Sequence, residues 1–505
     1  MDSFNLIDRP WIPVIRTDGT PDTVSLRGLY APDVRDVACA PPSQTMAVIR
    51  LATAITCRAL PTSGSVDEDA AAFRTMLAAD HAPQAIFDYL DKWHDRFDLM
   101  GDRPFMQSSG LPESDTLTPL VSDVETNGTL AARADRFILT AAQAALWLIR
   151  CQAYDGAANR ATLPGDTRMK GSICYTNGTG WTGSLGCLAI LGDTMWRTTL
   201  LNRVPLPWDT DADWSRDSAV WERDIPTFGD PEYDAGKGVD NDLHGPAALL
   251  TWRSRSIRLS WRDGMAVGAT VTAGDRIHAQ DANAYEPMSG WHESGAKGGL
   301  VSTRLPSSAP LLWRGLAGLL AVKDGGKRPM NVRWLERARL EPMRLRYLYT
   351  AVEWGPQCQN PVGETADTLA CTLDLSRSRT AGRRYADRLA LLDRGVGILA
   401  RLDRDLQTAC GDTVPATRAG LYARLWGVLD PPTRTWLASD NPMGTLDRWT
   451  AACLRLLARH ADRMADGAPA RAWSGRMGAD GKTLSAAVAF AECHACLDKL
   501  GKELA

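Results

Sequence analysis

Residues 379–406 read RTAGRRYADRLALLDRGVGILARLDRDL. Within them Tyr385, Leu389, Leu392, Val396, Leu399, Leu402 and Leu406 recur at steps of three or four, so a helix here carries one continuous apolar stripe. Leu421, Leu425 and Val428 open a second helix, which Asp430-Pro431-Pro432 should end, because proline lacks an N–H and crowds the preceding turn. Leu446, Trp449, Cys453, Leu456 and Met464 mark a third, and residues 484–500 a fourth. Amphipathic helices joined by Gly- and Pro-containing loops predict a C-terminal four-helix bundle. Its boundary is expected near residues 363–378.

Upstream the pattern changes. Phe4–Ile7 and Trp11–Ile15 flank Asp8-Arg9-Pro10 and read as a small hairpin. Met46 to Leu60 has helical spacing, another helix begins near Pro83, and Thr140 with Gln143 form a capping box for a third. Leu185 to Leu191 and Leu345 to Val352 read as strands. Ile257, Leu259 and Trp261 alternate with polar residues up to Asp263-Gly264, a two-residue hairpin signal. The fold class is therefore α+β: a mixed α/β domain over residues 1–370, followed by the bundle over 371–505.

At 505 residues the chain exceeds what one core usually supports, which agrees with two domains. No run of 18 apolar residues occurs, so no membrane span is expected. The N-terminus lacks the basic-then-apolar pattern of a secretory signal. Eleven cysteines without framework spacing fit a reducing cytoplasm. A net charge of −3 means that any nucleic-acid contact relies on local basic patches.

Catalytic motifs fail one by one. Asp209–Asp213 resembles a calcium loop, but Trp214 and Val220 stand where glycine and glutamate are needed. Gly481-Lys482-Thr483 lacks the first glycine of a phosphate loop, Arg476 standing in its place. Cys493-His494-Ala495-Cys496 has no second pair at zinc spacing. No enzyme activity, metal or cofactor is expected. A hydrolase built from carboxylates that meet only in space stays open as the alternative.

Other features suit nucleic acid. Residues 171–186 are rich in glycine, with Gly178, Gly180, Gly183 and Gly186 leaving backbone little shielded, although composition alone reads as a flexible loop. Trp354-Gly355-Pro356-Gln357-Cys358-Gln359-Asn360-Pro361-Val362 follows a strand and carries amides that donate and accept as base edges require. Arginines cluster at 253–262, 333–346 and 377–384, where phosphate contact and a salt-bridged surface are equally supported.

The order of these segments resembles the CasA family, the large subunit of the type I-E CRISPR Cascade complex. The opening Phe4-Asn5-Leu6-Ile7-Asp8-Arg9-Pro10-Trp11-Ile12-Pro13-Val14 is similar to that family's start, and Phe97-Asp98-Leu99 with Arg103-Pro104-Phe105-Met106-Gln107 to its next signature. The glycine loop, the Trp-Gly-Pro-Gln loop and the bundle follow in the family's order; the large subunit of another type I CRISPR subtype, or a generic assembly scaffold, is the alternative beside the hydrolase.

The resemblance implies a non-enzymatic, cytoplasmic subunit that reads the protospacer-adjacent motif from the minor groove of target double-stranded DNA and starts R-loop formation. Its partners would be guide RNA, the backbone and small subunits, and a helicase-nuclease. It implies a DNA-binding glycine loop at Asn177, Gly178, Thr179, Gly180 and Gly183. A wedge falls at Pro356, Gln357, Cys358 and Gln359, with Gln357 as its tip, and a lysine finger at Lys297. Arg133, Arg136 and Phe137 would meet the guide RNA and backbone, and Arg377, Arg383 and Arg384 the displaced strand. Some relatives bind zinc through paired Cys-x-x-Cys motifs; Arg262-Asp263-Gly264-Met265 stands where one pair would fall, so no zinc is expected.

Overall fold

A computed structural model describes residues 3–121, 137–161, 163, 169–170, 173–174, 176, 178–208, 212–225, 227–228, 243–275, 277, 282–295, 299–306, 309–320, 326–341, 343–372, 379–412, 419–477, 481 and 483–504. It mixes helix and strand and divides into two compact units. The first takes Met1–Arg304, Gly325–Glu341 and Arg346–Thr368, and the second Leu305–Asp324, Pro342–Leu345 and Leu369–Ala505. The division is therefore not a single cut near residue 370. Helix Leu312–Leu320 joins the second unit because Leu312, Trp313, Leu316 and Leu319 are buried there. Trp313 Nε1 donates to Asp430 at 2.8 Å, and the Tyr385 hydroxyl to the Trp313 carbonyl at 2.9 Å.

The first unit is organised on helix Pro42–Ala59, whose residues Ser43 to Thr56 are all buried. Helices Gln84–Lys92, Ala141–Tyr154, Met195–Asn202 and Pro246–Leu250 pack around it. A helix enclosed on every side needs apolar or small residues all round, which is why its pattern is less one-sided than that of a surface helix. Ala141–Tyr154 starts at the expected capping box: Gln143 N–H donates to Thr140 Oγ1 at 3.2 Å, and Thr140 N–H to Gln143 Oε1 at 3.0 Å. Thr140→Ala should cost about 1 kcal/mol, read as a lower denaturant midpoint.

Strand Arg344–Trp354 lies between Pro361–Thr372 and Cys187–Leu191 in one sheet. Its pairing with the last is antiparallel, Tyr349 opposite Leu188. The hairpin Arg255–Arg262/Met265–Ala273 turns at Asp263 (φ 51) and Gly264 (φ 73), both left-handed as a primed turn requires.

The N-terminal hairpin is not the expected one. Asn5 bridges to Asp98, its side chain accepts from Ile7 N–H at 2.9 Å, and Trp11 Nε1 donates to the Leu6 carbonyl at 2.9 Å. These local bonds coil residues 5–9. Strand Ile12–Arg16 pairs instead with Pro21–Val24 and Val34–Val37.

In the second unit, helices Arg379–Cys410, Ala419–Leu437, Leu446–Asp466 and Ala486–Lys502 pack on one another. The second does not stop at its prolines: Pro431 and Pro432 lie inside it. They remove the amides that would reach back to Gly427 and Val428, but the next turn is anchored. Arg434 Nε donates to Asp430 at 2.8 Å, and Trp436 stacks on Trp449 with ring centroids 4.2 Å apart. Tertiary packing overrides the local break.

Candidate nucleic-acid interface

Strands Arg344–Trp354 and Pro361–Thr372 are joined by a tip that closes where Gly355 N–H donates to the Asn360 carbonyl at 2.9 Å. Pro356 through Asn360 are exposed. Gln357 (φ 57, ψ 17) and Cys358 (φ 55) are successive left-handed residues. Side chains disfavour that region, at about 1–3 kcal/mol per residue, and such strain gathers at functional sites. Gln359 Nε2 donates to Gln357 Oε1 at 2.9 Å, tying the two amides into one polar edge.

The glycine loop is only partly the bare backbone expected. Gly178 (φ 87) is exposed and Thr179 half-buried, but Gly180, Gly183 and Gly186 are buried. Their missing side chains serve close packing: a Cβ on Gly180 would lie 2.5 Å from the Ala153 carbonyl oxygen, and one on Gly183 3.0 Å from Trp354 Cζ2. Trp181 anchors the loop, its Nε1 donating at 2.7 Å to Glu286, which also receives Arg50 at 2.8 and 2.9 Å.

The two tips meet. Trp354 Nε1 donates to the Gly183 carbonyl at 2.7 Å. Gly180 N–H donates to the Asp155 carbonyl at 2.8 Å, and Ala157 N–H to the Cys358 carbonyl at 2.7 Å. Arg255 donates to the Gly156 and Gly178 carbonyls at 2.7 and 2.8 Å and, with Arg160, to the Asp155 carboxylate. Burial pushes the Asp155 pKa up, but the charges of Arg255 and Arg160 outweigh it and hold the group below the usual carboxylate value. Glu364, on the strand leaving the tip, receives Ser43 Oγ and Arg150, both at 2.7 Å. The carboxylates Asp155, Glu286 and Glu364 are thus each neutralised by arginine, unlike the acid–base set that a hydrolase would need.

The model of the CRISPR-associated protein Cse1 family matches residues 5–464. The chain belongs to the Cse1 family. Cse1 of Thermobifida fusca has the same fold with a TM-score of 0.87 and 29% identity, covering 99% of this chain and 98% of that one. The CasA/Cse1 protein of Thermus thermophilus is 28% identical over 340 residues, 65% of this chain and 62% of that relative's own length. A chain of a solved CRISPR RNA-guided surveillance complex shares the fold at a TM-score of 0.66 and 18% identity, covering 100% of both.

Asn177, Lys297, Arg133, Arg136 and Arg377 lie outside the described residues. Phe137 is half-buried. Arg383 and Arg384 are exposed on helix Arg379–Cys410, with Arg384 at 3.7 Å from Asp447. Arg253 and Arg255 cannot serve phosphates, because both are buried against Asp275 and Asp155.

The sequence reading missed another basic feature. Arg448, Arg455, Arg459 and Arg463, spaced by seven, four and four residues, are exposed on helix Leu446–Asp466 opposite its buried face. None of them forms an ion pair among the described residues, nor does exposed Arg424 on helix Ala419–Leu437. Burial, then the charges of Arg463 and Arg424, lower the His460 pKa. Counting the spacing of positive residues alone, rather than of apolar ones, would have found the stripe.

Proposed function

We propose that this chain is the large subunit of a type I-E CRISPR surveillance complex, which binds target duplex DNA beside the guide-matched segment and begins to open it. One observation carries the reading: a glycine-loop tip with exposed Gly178 and half-buried Thr179, and a stiff glutamine tip at Gln357, are held together through Asp155–Ala157. Family membership and the shared fold with a surveillance-complex chain support it. In this reading Gly178 and Thr179 approach the groove floor, while Gln357 presses between base pairs as wedging side chains do. Pro356, Cys358 and Gln359 stiffen the wedge. Gly180 and Gly183 shape the loop instead of touching DNA.

Unstacking a base step costs a few kcal/mol, and guide RNA pairing with the freed strand offsets it. The subunit itself breaks no bond. Guide RNA, backbone and small subunits, target DNA and a helicase-nuclease are its partners, in the cytoplasm. Among the described residues no helix is long and apolar enough to cross a membrane.

Co-purification with guide RNA, followed by binding of guide-matched duplexes from a library randomised beside the match, tests this reading. The expected result is capture of RNA and a preference for a short flanking motif. Capture of RNA with no flanking preference would contradict the assignment of the tips.

Arginines of the stripe, with Arg383 and Arg384, supply the sequence-independent part. Stripe residues four apart step about 6 Å along the helix, so they can follow a phosphate backbone. Arg455→Ala and Arg459→Ala should each weaken binding across sequences and flatten the log–log salt slope by about 1. Single-stranded DNA lying along the stripe should also raise the His460 pKa, because phosphate charge favours the imidazolium; histidine NMR titration reads the shift. An unchanged pKa in the presence of saturating DNA would remove the stripe from the interface.

A further inference from the structure

The Asp155–Ala157 segment serves both tips within a single residue's separation. The Asp155 carbonyl receives Gly180 N–H at 2.8 Å, and Ala157 N–H reaches the Cys358 carbonyl at 2.7 Å. Between them Gly156 lets the tip's backbone approach so closely that a Cβ there would lie 2.2 Å from the Gln359 carbonyl oxygen. Arg255, 1% exposed, binds this segment at Gly156 and the glycine loop at Gly178 with the same guanidinium nitrogen. A guanidinium is a planar fork of fixed geometry. Moving either carbonyl therefore misaligns the other bond.

Resting on the proposed reading of the tips, we propose that Arg255 and Asp155–Ala157 form the coupling element through which contact at Gly178–Thr179 sets the position of Gln357. Arg255 is a positioning residue: it acts through backbone carbonyls from beneath the surface. The second state comes from the wedge itself. Gln357 and Cys358 occupy a backbone region that side chains disfavour, and the Ala157 N–H holds the Cys358 carbonyl in it. When DNA seats on the loop, Gly178 and Gly180 are fixed and the clasp is firm. When the groove mismatches, the loop shifts, the clasp slackens and the tip is free to relax. Coupling needs such a differential between two arrangements.

A merely structural Arg255 would behave differently. If it served only to neutralise Asp155, its loss would weaken binding of all duplexes alike. Coupling predicts instead a loss of discrimination between duplexes.

The test uses the complex assembled with guide RNA, and duplexes with and without the flanking motif that the library identifies. Arg255→Lys keeps a charge beside Asp155 but loses the fork. It is expected to reduce the affinity ratio between the two duplexes by about tenfold, a typical coupling effect. Binding of single-stranded complementary DNA should be unchanged. Fluorescence of 2-aminopurine at the first base pair should show less opening on the correct duplex. Adding Gln357→Ala to Arg255→Lys should change the ratio less than Gln357→Ala does alone, since coupled residues are non-additive. Additive effects, or an intact ratio, overturn the coupling. Should Arg255→Lys fail to assemble with guide RNA, Gly156→Ala takes its place in the same cycle, acting through the clash with Gln359. If Gln357→Ala and Thr179→Glu each leave duplex binding untouched, the reading of the tips falls. If each is harmful but additive with Arg255→Lys, the coupling alone falls.

Discussion

Gln357→Ala combined with Gly183→Asp is expected to lower the affinity of the assembled complex for its target duplex by about a hundredfold or more, with guide RNA assembly intact. The magnitude follows from what each change removes. A wedge that holds a base step open offsets a few kcal/mol of unstacking, and each 1.4 kcal/mol is a factor of ten. Alanine at 357 shortens the tip and removes its bond to Gln359. It does not relieve the backbone, because alanine is as poorly suited to φ 57 as glutamine is. Aspartate at 183 acts by packing: even its Cβ would press on Trp354 at 3.0 Å, against the ring whose Nε1 holds the Gly183 carbonyl. The pair therefore disables the wedge and tilts the loop. Mobility-shift titration at moderate salt reads the result. Wild-type affinity would show that these tips do not bear on DNA. The stripe variants give the contrast: they lose affinity uniformly and change the salt slope, whereas the tip variants should leave that slope nearly unchanged.

Local signals in the sequence were reliable where the physics is local. The capping box at Thr140 and Gln143 and the Asp263-Gly264 turn involve neighbours within four residues, and both are present in the fold. The rigid Trp354–Val362 tip was legible for the same reason, its proline and amides lying in one short stretch. The N-terminal hairpin fails on local bonds that its turn-like triplet did not reveal; the other failures are long-range. Pro431 and Pro432 look like a stop until the stack of Trp436 on Trp449 is known. Arg253 and Arg255 look like phosphate ligands until Asp275 and Asp155 arrive from distant segments. Gly180 and Gly183 look bare, but what they approach lies far along the chain or on another element. Composition can name a glycine loop; it cannot say which glycines face outward.

The largest effect on stability should come from Arg50→Ala, at about 3–5 kcal/mol, the usual result of leaving a buried charge without its partner. Arg50 and Glu286 have side-chain exposures of 2% and 0%, and the guanidinium meets both carboxylate oxygens. Removing Arg50 leaves Glu286 with only the Trp181 indole and the Met288 amide as hydrogen-bond donors among the described residues. Replacing both charges, as Arg50→Met with Glu286→Leu, should recover most of the lost stability, since well-packed apolar residues can substitute for a buried pair. Function should not recover with it. In the double variant Trp181 has lost its acceptor, so one of the bonds that pin the glycine loop to the core is gone. Chemical denaturation and duplex binding, measured on the same two variants, should therefore part: a near-native midpoint beside weakened DNA binding. If stability and binding recover together, Glu286 is only a buried counter-charge. If they separate, the ion pair exists to offer Trp181 a fixed acceptor, and the core of the first unit is built in part to hold a surface loop still.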